Sequence, residues 1–520
     1  VYIRDFTAFL ARRFLSIASQ LVLRMALMLN PTSHKNVSFA NGTQLFVRAL
    51  AVAHAFAFGS FWAQASGLIG SRGILPAEQF FNVAYEQIGR RAWLEAPSLC
   101  WIFGAGHFID VLCGLGIALS ALLFLGYAPA LCLGGLWVSY LSLSSAGQIF
   151  MDFQWDSLLL ESTLIAIFLV PWTLRRRGVP FDPPHLARYL AWWLLFRLMF
   201  LSGWVKLSSG DPTWRNLTAL TFHYQTQPIP TPIAWYANQL PVWFQVASCA
   251  ALFAVELVAP FFIVAPRRLR HVGVLSLIAL QLLIALTGNY AFFNLLTLGL
   301  CLTCLDDDWW RNLHWGVEPA VASADSPERK KTTGATVLRW FAAFSVGITF
   351  FESAAAVSRV AAGSPIVRYV AEAVGPLRSF NDYGLFAVMT IERPELVVEG
   401  SNDASDWKEY SLPFKPGDLS RRPPWVAPCQ PRLDWQLWFA ALGPPDNSLW
   451  VGTLCERLLQ GEPAVQGLFS RNPFPDAPPR YVRVVRYRYQ FTNYADRSRT
   501  GNWWRRTPID FFVPAVTLPR

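Results

Sequence analysis

The apolar residues of this chain gather in runs of about 18 to 25, the length at which a helix crosses a bilayer. A soluble core would break such runs with polar residues at helical spacing. Nine candidate spans result: Leu45–Gly67, Ser98–Gly126, Ala128–Ala146, Trp155–Trp172, Tyr189–Leu207, Pro241–Val264, Val272–Gly288, Tyr290–Leu305 and Val337–Val357. The two that flank Asn289 are short and suit a tight hairpin. With 53% hydrophobic and 15% charged residues, the expected fold class is a polytopic all-α transmembrane bundle of about nine spans. Near Leu377 the composition changes. From there the chain is polar, rich in Trp and Pro, and broken by turn signals. Roughly 140 residues suffice for an independent domain.

In that tail, Leu385–Ile391, Glu395–Glu399 and Trp407–Phe414 read as strands. Tyr481–Phe491 alternates, with Val485, Tyr487, Tyr489 and Phe491 on one face and Arg486, Arg488 and Gln490 on the other, as in a half-buried strand. Leu449–Gln460 has helical spacing and stops before Gly461. A β-sandwich-like extramembrane domain with inserted helices is the expectation. The divisions are then 1–44, a basic amphipathic cytoplasmic segment; 45–358, the helical membrane domain; 359–376, a linker; and 377–520, the β-rich domain.

Basic clusters orient the spans. Arg175, Arg176 and Arg177 come after the fourth span, Arg267, Arg268 and Arg270 after the sixth, and Arg329, Lys330 and Lys331 precede the ninth. Arg12, Arg13, Arg24 and Lys35 precede the first. All fall on one side if the spans alternate, and that side is read as cytoplasmic. The C-terminal domain is then lumenal or periplasmic. These clusters account for most of the +10 net charge, and no block of Lys and Arg with interleaved aromatics points to nucleic acid.

Charged groups inside apolar runs are costly and mark sites. His107 and Asp110 share a helix face, and Asp156, Glu161, Arg197 and Glu256 lie in neighbouring spans. All six are candidates for buried ion pairs. Lys206 ends an apolar helix, and Asp211, His223 and Tyr224 come next in an aromatic loop. A lysine desolvated there acts as base or nucleophile, with His223 or Asp211 moving the proton. The competing reading is a lysine that snorkels to the interface. In the C-terminal domain, Arg432, Asp434, Trp435, Trp438, Trp503 and Trp504 are the residue types of binding hot spots and equally of a sandwich core. They are the candidate client-binding residues. Cys429 and Cys455 are a candidate disulfide. No metal-ligand spacing, phosphate-binding glycine loop or nucleophile elbow is present, so no cofactor is expected.

The blocks FQWDSLLLE (Phe153–Glu161), GWVKLSSGDPTWRNLTALTFHYQTQPIP (Gly203–Pro230), TGNYAFFNLLTL (Thr287–Leu298), NDYGLFAVMTIERPELVVEGS (Asn381–Ser401) and PRLDWQLWFAAL (Pro431–Leu442) resemble the lipase maturation factor family. The similarity runs from about Val47 to Trp504. It implies an integral membrane protein that assists folding and assembly of secreted lipases, with the C-terminal domain meeting the client; a non-enzymatic chaperone is the preferred reading. The membrane would be that of the endoplasmic reticulum in a eukaryote and the inner membrane in a bacterium. The partners implied are a secreted lipase-like client and the lipid bilayer; the oligomeric state stays open. The membrane half also resembles, distantly, the vitamin K-dependent carboxylase fold, in which a lysine after a span is catalytic. That resemblance implies an alternative, a membrane-embedded enzyme with Lys206 as base.

Overall fold

The computed structural model describes residues 37–174, 181–314, 333–357 and 365–518. The amphipathic reading of 1–36 and the basic clusters at 175–177 and 329–331 lie outside the described residues.

Among the described residues, five helices are long and apolar enough to cross a membrane. They are Ala40–Ile69 (α1), Phe108–Leu125 (α2), His185–Ser208, Val242–Val264 and Arg267–Thr287. One of the five is shorter than its expected span, and the remaining expected spans differ in physical character. Ser98–Gly126 is interrupted: a short helix, Cys100–Phe103, ends at Gly104 with φ +78°, and α2 starts afresh at Phe108. Pro129–Ala146 (α3) carries Ser139, Ser142, Ser144 and Ser145, all buried against neighbouring helices. Gln154–Leu169 (α4) has 16 residues and buries two carboxylates, and Phe293–Leu302 has only 10 residues. Apolar helices of that length serve as interior core more readily than as spans. With His185–Ser208 labelled α5, Val242–Val258 α6 and Arg267–Thr287 α7, helix α5 is central. It packs on α4, α6, α7's partner Phe293–Leu302, and Thr333–Val357. Gly203 allows the closest approach, since a Cβ there would come within 2.9 Å of the Glu256 Cβ on α6.

The C-terminal region holds one antiparallel sheet of four strands, ordered β2-β1-β3-β4: Arg393–Ser401 (β1), Lys408–Glu409 (β2), Tyr481–Phe491 (β3) and Trp504–Val516 (β4). Register runs from Arg393 opposite Tyr489 to Ser401 opposite Tyr481, and Phe491 lies opposite Trp504. The alternation of β3 is as expected on one face, with Val485, Tyr489 and Phe491 buried, and the helix Trp450–Leu459 forms. Leu385–Ile391 is not a strand, and of Trp407–Phe414 only Lys408 and Glu409 pair with β1. The sandwich expectation is corrected: among the described residues no second sheet packs on the first. Both faces are covered otherwise. Leu396, Val398, Val482 and Val484 join the main core, while Val397, Tyr489, Phe491 and Trp504 pack against Trp235 and Ala234 from the loop between α5 and α6.

That loop is one of several at a single end of the bundle, all bonded to the C-terminal domain. Gln64 donates to the Gln430 carbonyl at 2.8 Å, Arg457 to that of Gly73 at 3.1 Å, and Gln239 to that of Thr492 at 3.1 Å. Arg267 and Arg270 gather at the other end, where Asp306 accepts from both and Asp307 accepts from the backbone of Ala40 and Asn41.

Candidate functional site

Lys206, in the last turn of α5, is buried and fully engaged. Its ammonium donates to both carboxylate oxygens of Glu256 at 2.9 and 2.8 Å and to the Ser202 carbonyl at 3.0 Å. All three N–H bonds are thereby used. The pair borders a cavity of about 70 Å³, lined also by His223, Gln281, Tyr290 and Phe386. The space suits a few waters and is smaller than the ~150 Å³ cavities that admit a benzene ring. The Tyr290 hydroxyl donates to Gln227 Oε1 at 2.8 Å and lies 3.2 Å from His223 Nε2, which assigns the donor proton to Nε2. Burial, and then the Lys206 charge, push His223 down to about 4, so it is neutral at pH 7.

Asp211 does not join them. Its Oδ1 accepts from the Thr213 backbone at 2.7 Å and its Oδ2 from the Met389 N–H at 2.6 Å, capping the turn Pro212–Arg215. Burial works to raise this carboxyl, and the Met389 and Thr213 N–H groups outweigh it and hold it below the usual range. An ammonium held by a carboxylate is not a free base, so the carboxylase-like alternative gains no support from this geometry.

Two further buried nodes lie deeper. Glu161 pairs with Arg197, and the node reaches beyond the bundle: Arg197 donates to the Asn381 carbonyl at 2.7 Å, and Tyr383 donates to Glu161 at 2.7 Å. Asp156 pairs with Arg432 rather than with Arg197. The guanidinium meets both Asp156 oxygens at 3.0 Å, donates to the Phe150 carbonyl at 2.6 Å and lies 3.2 Å from the Tyr140 hydroxyl. His107 and Asp110, expected as a buried pair, are both exposed. Asp110 instead accepts from the Trp62 indole at 2.8 Å.

The six candidate client-binding residues are all buried, as core residues are, so of the two readings the sequence left open their packing follows the core one. Arg432 (the first residue of α8, Arg432–Leu442) enters the bundle as described. On the same helix, Trp435 packs edge-on against Trp155 at 4.7 Å, and Trp438 donates to the Thr226 carbonyl at 3.1 Å. Asp434 accepts from the backbone N–H groups of Phe414 and Lys415 at 2.9 and 2.7 Å, and burial pushes its carboxyl up to about 6. Trp503 stands against Trp235 at 5.4 Å and Trp504 against Phe491 at 4.4 Å. Aromatic and arginine side chains serve an internal interface here for the reason they serve external ones: large area and directional bonds. Cys429 and Cys455 are both free, so the expected disulfide is absent, and burial pushes the Cys455 thiol up to about 12.

Two family models cover most of the chain. The lipase maturation factor transmembrane domain matches residues 42–312, and the lipase maturation factor C-terminal domain matches residues 379–514. The chain belongs to the lipase maturation factor family. Lipase maturation factor 2 of Mus musculus is 36% identical over 91% of this chain and 83% of its own length. The Homo sapiens protein of the same name is 36% identical, with 82% of its length covered. Lipase maturation factor 1 of Bos taurus is 33% identical over 91% of this chain and 88% of its own. No solved structure matches.

In this member of the lipase maturation factor family, several buried polar contacts join one matched region to the other. Asp156 and Glu161 lie in the first; Arg432, Asn381 and Tyr383 lie in the second. Two more clamps escaped the reading of the sequence. Arg393, at the start of β1, is buried and donates to the Gln225 carbonyl at 2.8 Å, the Pro228 carbonyl at 2.7 Å and the Gln227 carbonyl, while pairing with Glu395 at 2.6 Å. Lys415 closes the other side of Glu395. Asn289 donates to the Pro424 carbonyl at 3.0 Å and accepts from the N–H groups of Val426 and Ala427 at 2.8 and 3.0 Å. Its one sequence signal was a polar residue alone between two apolar runs.

Proposed function

We propose that this chain is a membrane-anchored maturation factor that assists folding and assembly of a secreted lipase or a similar client. One observation carries the reading: both domains of the family are matched in order, and relatives named for lipase maturation cover 91% of the chain. Its site is the endoplasmic reticulum membrane in a eukaryotic cell and the inner membrane in a bacterium, with the C-terminal domain on the lumenal or periplasmic side. In this reading the bundle is a rigid base. The C-terminal domain holds an incompletely folded client through apolar contact until the client buries its own surface. The buried clamps at Arg432, Arg393 and Asn289 support that division of labour, because they fix the presenting domain to its base.

The test is complementation. Cells lacking their own maturation factors receive this chain together with a secreted lipase. Lipase activity in the medium is expected to rise severalfold at constant lipase mRNA. Unchanged activity, with the chain present in the membrane fraction, defeats the proposal.

A further inference from the structure

The segment between Ile69 and Phe108 joins two membrane-spanning candidates, so both of its ends lie at the bilayer. Within it, Ala77–Ile88 is a 12-residue amphipathic helix. It buries Ala77 and Phe81 and exposes Val83, Tyr85 and Ile88. Farther on, Leu94 is 75% exposed, and Ile102 and Phe103 are each 63% exposed. The aromatic side chains among them are held by ring contacts. Trp93 stacks on Trp101 at 5.6 Å, and Phe81 meets the same indole edge-on at 4.7 Å. Phe103 stacks on Phe108, the first residue of α2, at 4.7 Å, and α2 itself exposes Val111 and Leu115. Exposed apolar side chains therefore occur both on this elbow and on the outer face of a candidate span, with Glu95, His107 and Asp110 exposed among them.

In water such apolar surface is unfavourable by about 25 cal/mol for each Å² left wet. At the edge of a bilayer the same surface is stabilising. Trp and Tyr favour the headgroup level there, and an exposed arginine such as Arg90 can bury its stem in the apolar layer with its charge in the headgroups, while Arg91 pairs with Glu95 at 2.9 Å. We propose that residues 77–103 form an interfacial elbow immersed in the headgroup and upper acyl region of the bilayer. The C-terminal domain bonds to the chain just ahead of the elbow, through Arg457 to Gly73 at 3.1 Å and Arg72 to Glu462 at 3.7 Å. It thus stands on the lipid surface beside the elbow. The immersion of the elbow does not depend on which client the protein serves.

The test places a photoreactive residue, by Leu94→p-benzoylphenylalanine or Ile102→p-benzoylphenylalanine, in the full chain reconstituted into phosphatidylcholine vesicles with alkyne-tagged acyl chains. Leu115 on α2 is the lipid-contact reference, and Ser405, exposed beyond β1, is the water-facing control. Lipid adducts from positions 94 and 102 are expected at yields comparable to 115 and about tenfold above 405. Yields at the level of position 405 overturn the proposal. Adducts to protein, whether a second copy or a client added to the vesicles, overturn it equally.

Discussion

Truncating Arg432 leaves Asp156 charged in the interior with Tyr140 as its remaining side-chain donor. Breaking one side of a buried pair costs about 3–5 kcal/mol, whereas replacing both partners with apolar groups is often neutral. Arg432→Ala is therefore expected to lower the thermal midpoint sharply, and Asp156→Leu with Arg432→Met to recover most of the loss. A double variant as unstable as the single one refutes this account of the node. Asp434 gives a pH signature. Its folded carboxyl titrates near 6, above the ordinary 3.8, so the folded chain holds a proton that the unfolded chain has released. Stability then falls as pH rises from about 4 to 6 and stays lower above that, by at most about 3 kcal/mol. An asparagine oxygen can accept the same two backbone N–H bonds. Asp434→Asn is expected to match the native chain near pH 4 and exceed it at pH 8 in thermal unfolding. That these groups were unusual was visible in the sequence; what they met was not. Arg432 and Asp156 are 276 residues apart, and no spacing rule acts across such a distance.

Among the elements, β1 and α8 do the joining. The Arg393 fork binds carbonyls that lysine, a single compact donor, is unable to reach together. Arg393→Lys is expected to raise hydrogen exchange in 225–230 and at the start of β1, while α2 and α3 keep their protection. Uniform deprotection would mean that the clamp is merely part of global stability. Helix existence was legible from apolar runs, and β3 from its alternation, because both patterns are local. The partner of the sheet was not. Its second face is closed by Trp235, which belongs to the short helix Pro232–Asn238 in the connection between two membrane helices, so the sheet lies between helices and not against a second sheet. Likewise, hydropathy cannot separate a helix that faces lipid from one that faces protein. The serines of α3 and the carboxylates of α4 become intelligible once both are seen in the interior.

For the whole molecule, the C-terminal domain stands on loops at one end of the bundle, and Arg267, Arg268 and Arg270 lie at the other. Basic residues favour the cytoplasmic face. In sealed microsomes, a C-terminal tag is expected to resist protease while a probe at Arg268 is cleaved or labelled; cleavage of both breaks the orientation. Run length, composition and contiguous motifs need no coordinates, and they were enough to establish a helical membrane protein with a distinct Trp-rich tail and to point to its family. Three properties emerged from the folded chain alone. The tail's tryptophans and arginines face inward, Lys206 is neutralised by Glu256, and five of the described helices, against nine expected spans, are long and apolar enough to cross a membrane. Burial and ion pairing are properties of what surrounds a side chain, and those surroundings come from residues hundreds of positions away.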